Sequence, residues 1–167
     1  MADALIRKRT TSVDELNKLA AEGTLFAVID ACDEPEVPAK IEELGRARSA
    51  CLYRGELDQE TKEVAPYLVS VDRDLLAWIF TTSGERPWGI FVVAKSDLRT
   101  LRQHLRQFLT VQGIDEKPMY FFYYDPRVIV TFLESCDQEE LDEFYGPVMA
   151  YGVTAEGAQA VDLIVRE

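Results

Sequence analysis

The sequence predicts an α/β fold: a single layered domain whose central sheet is mostly parallel or mixed, flanked by helices and closed by a C-terminal β-hairpin. Three observations point there. Strand-like and helix-like stretches alternate from Leu25 to Leu133, the pattern of a layered α/β domain. Met119-Tyr120-Phe121-Phe122-Tyr123-Tyr124 has no polar face at period two, so it reads as a central strand covered on both sides. That run stops at Asp125-Pro126, where proline suits the first position of a helix and Asp125 suits its N-cap.

Met1 to Thr11 is mixed in character and reads as a loose arm. Ser12-Val13-Asp14-Glu15 has the form of a capping box, and Leu16, Leu19 and Ala20 give a short apolar stripe ending near Gly23. Leu25 to Asp30 reads as a buried strand ending in an acid. Pro35 opens an acidic helix to Leu44, stopped by Gly45. Ala50 to Tyr53 is a second short strand, and Glu56 to Val64 holds one or two helical turns. Tyr67 to Val71 is a third strand. Asp72 caps a helix through Leu75, Leu76, Trp78, Ile79 and Phe80, closed by Gly84. Trp88 to Ala94 is a fourth strand. Ser96 or Asp97 caps what reads as the longest helix, running to about Val111. After Asp125, Val128 to Thr131 is β-branched enough for a strand, but Pro126 favours a helix start, and a helix is expected. Asp137-Gln138-Glu139-Glu140 is a second capping box, opening a helix that ends at Gly146-Pro147. Val148 to Val153 and Val161 to Val165 read as two strands of a hairpin turning over Thr154 to Ala158.

A chain of 167 residues suits one domain, which at this size buries roughly 70% of its unfolded surface. Acids outnumber bases 30 to 18, a net charge of −12. That balance argues against nucleic acid, which calls for a basic face, and favours partners with a basic patch. The three cysteines, Cys32, Cys51 and Cys136, form no Cys-x-x-Cys and suggest neither a disulfide framework nor a zinc site. A reducing compartment is expected. Arg7-Lys8-Arg9 is followed by Thr10-Thr11-Ser12 rather than an apolar core, so no secretory signal is read. No apolar run approaches the ~20 residues of a spanning helix. The expected location is cytoplasmic.

The search for catalytic patterns returns little. No nucleophile elbow, phosphate loop, dinucleotide fingerprint or His-Glu-x-x-His occurs. The single histidine, His104, falls at the border of an apolar helix face made by Leu98, Leu101, Leu105, Phe108 and Leu109. Asp30 and Asp33 follow a buried strand, but with one residue more between them than the Asp-x-Asp of phosphoryl-transfer enzymes. Asp30 with Asp125 is a possible carboxylate pair across strand ends; the alternative is that both are caps or loop acceptors. Arg99, Arg102 and Arg106 fall at i, i+3 and i+7, a positive ridge on an acidic chain, with Lys95 before it. The alternative is a solvated face paired with acidic neighbours. Glu134 to Glu143 is an acidic stretch read as a helix exterior. Trp78 and Trp88 read as core, with Trp88 also considered as a partner contact. The tyrosines of the aromatic run need hydrogen-bond partners if buried.

Several segments together resemble a known family. Leu25 to Asp30, Ala65 to Val69, Trp88 to Phe91, Asp97 to Arg106, Tyr120 to Val128 and Phe144-Tyr145-Gly146-Pro147 are similar in order and spacing to the adaptor-chaperone domain of bacterial type VI secretion systems. The most specific blocks are Tyr124-Asp125-Pro126-Arg127 and Phe144-x-Gly146-Pro147. The resemblance implies a non-catalytic cytoplasmic protein that holds a toxic effector and helps load it onto the spike of the injection apparatus. It supplies no catalytic residues, and with the charge, cysteine and hydropathy readings above no cofactor, metal, nucleic-acid or membrane partner is expected. The expected organisation is an N-terminal arm and short helix over residues 1–23 and an adaptor-type domain over 24–167. Tyr124, Asp125, Pro126, Asp30, Gly146 and Pro147 are expected to be structural. Arg99, Arg102, Arg106, Arg127 and Trp88 are expected to meet the partner. Two other classes stay open: an immunity-type protein that neutralises a toxin, and a metal-dependent hydrolase or phosphatase using Asp30, Asp33 and Asp125.

Overall fold

The structure is a computed structural model that describes residues 4–32, 34–84, 86–113, 115–155 and 159–167. Its frame is one seven-stranded sheet built from β1 (Ile6–Ser12), β2 (Leu25–Asp30), β3 (Ser49–Cys51), β4 (Pro66–Ser70), β5 (Gly89–Ala94), β8 (Val148–Thr154) and β9 (Ala160–Arg166). The strand order is β1-β9-β8-β5-β2-β4-β3. Two further strands, β6 (Thr110–Gln112) and β7 (Pro118–Tyr120), pair only with each other. The helices are α1 (Val13–Ala21), α2 (Glu36–Leu44), α3 (Gln59–Lys62), α4 (Arg73–Ser83), α5 (Leu98–Arg106), α6 (Pro126–Ser135) and α7 (Gln138–Tyr145).

Every pairing in the large sheet is antiparallel, which corrects the mostly parallel or mixed sheet that strand–helix alternation predicts. Among β3, β4, β2 and β5 the reason lies in how the crossovers interlock. β2 and β3, joined through α2, run in the same direction, but β4 lies between them and opposes both. β4 and β5, joined through α4, also run in the same direction, with β2 between them. Each crossover skips one strand, and the other crossover fills the gap.

Period two decides which face each strand side chain covers. In β2, Phe26 and Val28 join one core with α5, α6 and α7, through Leu101, Leu105, Ile129, Leu133 and Phe144. Leu25, Ala27 and Ile29 join the opposite core with Leu16 of α1, Val37 of α2 and Leu75, Leu76 and Ile79 of α4. Both faces of the central strands are therefore covered.

The termini complete this sheet. The segment expected to be a loose arm is in part strand β1, paired with β9 from Ile6↔Arg166 to Ser12↔Ala160. The predicted C-terminal hairpin is present as β8 and β9; of its expected turn, residues 156–158 lie outside the described residues, as does Asp33.

Local capping signals act as the sequence suggests. Asp72 accepts from the N–H of Leu75 at 2.8 Å and Asp97 from Thr100 at 2.7 Å. Asp137 and Glu140 form the reciprocal capping box of α7. Ser12 caps α1, but the Glu15 carboxylate turns to Thr11 and Arg9 instead of closing a box. The helix predicted to be longest, α5, stops at Arg106, and α4 at 11 residues is longer.

Candidate functional site

The aromatic run does not form a central strand. Its first part is β7, a three-residue strand exposed throughout, in a small hairpin with β6. After Tyr120 the chain leaves strand geometry and divides its side chains. Tyr123 is buried, with its hydroxyl donating to the Leu105 carbonyl at 2.8 Å. Phe121 packs on Phe132 with ring centroids 4.7 Å apart. Tyr120 and Phe122 point to solvent, 69% and 50% exposed, and stack on each other at 6.3 Å. Across the hairpin, Val111 and Met119 are partners in register and also exposed. Most of the large exposed apolar side chains among the described residues thus sit between positions 111 and 122. Apolar surface gathered in one place in this way marks an interaction site.

An aromatic row continues from this stack. Phe122 meets Tyr124 edge-on at 5.9 Å. Tyr124 is buried and shares a side-chain hydrogen bond with Tyr53, and burial raises the pKa of both phenols. The charge of Asp30 also reaches both. Asp30 itself ends β2, where its Oδ1 accepts from the N–H of Cys32 at 3.0 Å.

Tyr53 leads to the arginines. The antiparallel ladder between β3 and β4 uses the Arg48 carbonyl and the Leu52 N–H. By alternation, the polar backbone groups of Ser49, Cys51 and Tyr53 face away from β4. Arg102 Nε donates to the Cys51 carbonyl at 3.1 Å. Arg106 Nη2 donates to the carbonyls of Cys51 at 3.3 Å and Tyr53 at 3.2 Å. Two members of the predicted ridge therefore occupy the outer edge of the sheet, holding α5 against β3. Burial, with the neighbouring charges of Arg102 and Arg54, lowers the pKa of Arg106. Arg99 and Arg54 remain exposed. Among the described residues, no carboxylate forms an ion pair with any of these four arginines. For Arg102 and Arg106 the acidic pairing that composition would suggest is replaced by backbone carbonyls, while the charge of Arg99 reaches the Asp97 carboxylate that caps α5.

The other expected contact residues lie elsewhere. Arg127 is exposed but forms a two-point pair with Asp125, Nε to Oδ1 at 3.0 Å and Nη2 to Oδ2 at 2.7 Å. Asp125 also accepts from the Arg127 N–H, so it caps α6 as expected. The Arg127 side chain is the chief cause of the lowered Asp125 pKa. Asp30 and Asp125 thus have separate engagements, one with Cys32 and the aromatic row, one with Arg127. Among the described residues, no three His, Cys, Asp or Glu side chains group as a metal site would require. Trp88 is buried, with Nε1 donating to Thr154 Oγ1 at 3.1 Å and its ring edge-on to Phe91 at 4.9 Å. It packs as a core residue, 5% exposed.

Gly146 and His104 explain the second specific block. Gly146 ends α7 at φ 49°, and a Cβ there would meet the His104 ring at 2.4 Å. His104 Nε2 lies 2.7 Å from the Phe144 carbonyl. A carbonyl only accepts, so Nε2 carries the proton. Burial lowers the His104 pKa, which favours the neutral ring.

Among the described residues, no helix is long and apolar enough to cross a membrane. No curated protein and no solved structure matches the chain. A family described as "Domain of unknown function (DUF4123)" matches residues 25–143, which span β2 to most of α7 and include the aromatic row and all four arginines. The strands outside the match, β1, β9 and β8, stand side by side at one end of the sheet. With well over half of its length matched, the chain belongs to the DUF4123 family.

Proposed function

We propose that this protein is a non-catalytic cytoplasmic adaptor that grips a toxic effector and helps load it onto the spike of a bacterial type VI secretion apparatus. The observation that supports this reading most directly is the solvent-facing stack of Tyr120 and Phe122, linked through Tyr53 to arginines that form no ion pair among the described residues, all within the family match. Such a surface suits binding of another polypeptide. The resemblance of the Tyr124–Arg127 and Phe144–Pro147 blocks to secretion adaptors names the kind of polypeptide.

Co-expression with a toxin and a spike protein encoded beside it tests the reading. The adaptor should co-purify with the toxin through its delivery region and leave the toxin's catalytic rate unchanged. Loss of toxin activity on binding would overturn the adaptor in favour of an immunity protein. Calorimetric titration with Mg²⁺ or Mn²⁺ should give no binding heat at millimolar metal. Metal binding accompanied by substrate turnover would overturn a purely gripping role.

A further inference from the structure

We infer that the Tyr120–Phe122 stack and the exposed Arg54 and Arg99 together receive an acidic polypeptide segment carrying aromatic or aliphatic anchor side chains. The inference rests on the adaptor reading and specifies the chemistry of what is gripped.

Three features select this occupant. The stack is apolar and fully formed, with two aromatic rings in solvent and their mutual packing already set. Rigid aromatic side chains of this kind supply contact area at little entropic cost and are frequent energetic centres of interfaces. The row Phe122–Tyr124–Tyr53 connects the stack to the Arg106 guanidinium, which binds the Tyr53 carbonyl at 3.2 Å. Charge supplies the sign. On a chain of net charge −12, Arg99, Arg102 and Arg106 follow one stripe of α5 at i, i+3 and i+7 and Arg54 lies close enough to act on Arg106; none of the four is in an ion pair among the described residues, although the charge of Arg99 reaches Asp97. Arg102 and Arg106 are committed to the β3 carbonyls, so Arg54 and Arg99 are the ones available to a partner. Asp30, the acid whose charge reaches Tyr53 and Tyr124, is partly buried at the end of β2 and accepts from the Cys32 N–H. A basic or neutral segment would find nothing to pair with these guanidinium groups, whereas an acidic one neutralises them as its anchors cover the rings.

The test uses the full chain and two short labelled peptides, one with Asp and Glu flanking Leu and Phe, the other with Lys in place of the acids. The acidic peptide should bind, with affinity that falls as salt is raised, and the lysine peptide should not. Tyr120→Ser with Phe122→Ser should weaken binding about tenfold or more, as expected for an interface centre. Arg54→Glu with Arg99→Glu should weaken it independently. Each variant replaces exposed side chains, and an unchanged circular dichroism spectrum verifies its fold. Equal binding of the two peptides, or full binding by either folded variant, would overturn the inference. So would self-association of the free chain that either variant abolishes, because the acidic run Glu134 to Glu143 of a second copy would then be the occupant. These outcomes are separable from failure of the adaptor reading. That reading falls if the wild-type chain does not retain the toxin or silences it, whatever the peptides do.

Discussion

Gly146 has the His104 ring where any other residue would carry its side chain, and its backbone sits at φ 49°. Gly146→Ala therefore meets two costs at once, a left-handed conformation unfavourable to alanine and a displaced imidazole. The expected loss is about 1–3 kcal/mol, read as a lower urea midpoint at unchanged slope. An unaltered midpoint would show that the ring moves aside freely. The glycine as a helix stop was legible from sequence, because a C-cap is a local signal. The histidine seated on it was not, since the two belong to helices far apart in the chain and no spacing rule links them. Asp125 shows the same division. Its role as a cap follows from Asp-Pro alone. Its two-point grip on Arg127 depends on a side-chain rotamer that the sequence does not specify.

At the scale of elements, most helix and strand positions could be read from capping residues and apolar runs, but the aromatic run misled. Six apolar residues without a polar face describe a strand covered on both sides equally as well as a segment that turns and sends alternate rings inward and outward. Tyr123 and Tyr124 went to the core, Tyr120 and Phe122 to solvent. The arginine ridge was seen as a pattern, but its destination depended on β3 being an edge strand, and sheet order cannot be read from the ridge itself. Arg102 and Arg106 together hold that edge. A hydrogen bond from a charged donor contributes about 1.5–3 kcal/mol, less where the donor is half exposed as here. Arg102→Ala with Arg106→Ala should speed amide exchange of Leu52, bonded to Pro66 across β4, while leaving the central β2 amides protected. Equal acceleration in β2 would mean that the arginines support the whole fold and not its margin.

Across the whole molecule, the alternation of strands and helices was legible and the direction of the sheet was not. Alternation reports that crossovers exist. It cannot report that two crossovers interleave, each placing its strand in the other's gap, and this interleaving makes the neighbours among β3, β4, β2 and β5 antiparallel. Charge also acts at this scale. A net charge of −12 repels itself in the compact state. With a Debye length of about 8 Å at physiological ionic strength, added salt should screen that repulsion. The melting temperature should therefore rise as NaCl is increased from very low concentration. A falling melting temperature would assign the dominant electrostatic contribution to favourable pairs such as Arg166–Asp142 and Arg48–Asp72.

The two margins of the sheet differ in kind. At one, the Arg102 and Arg106 guanidinium groups already occupy the outward carbonyl of Cys51 in β3 and that of Tyr53 just beyond it. At the other, β1 has β9 on one side and, among the described residues, no strand on the other. Growth by strand addition is therefore polarised. A visiting strand can extend the large sheet at its β1 flank, and two copies meeting flank to flank through β1 would consume the free ladder that the large sheet of each offers there, among the described residues. Assembly by that route ends at a pair and cannot propagate into a fibre.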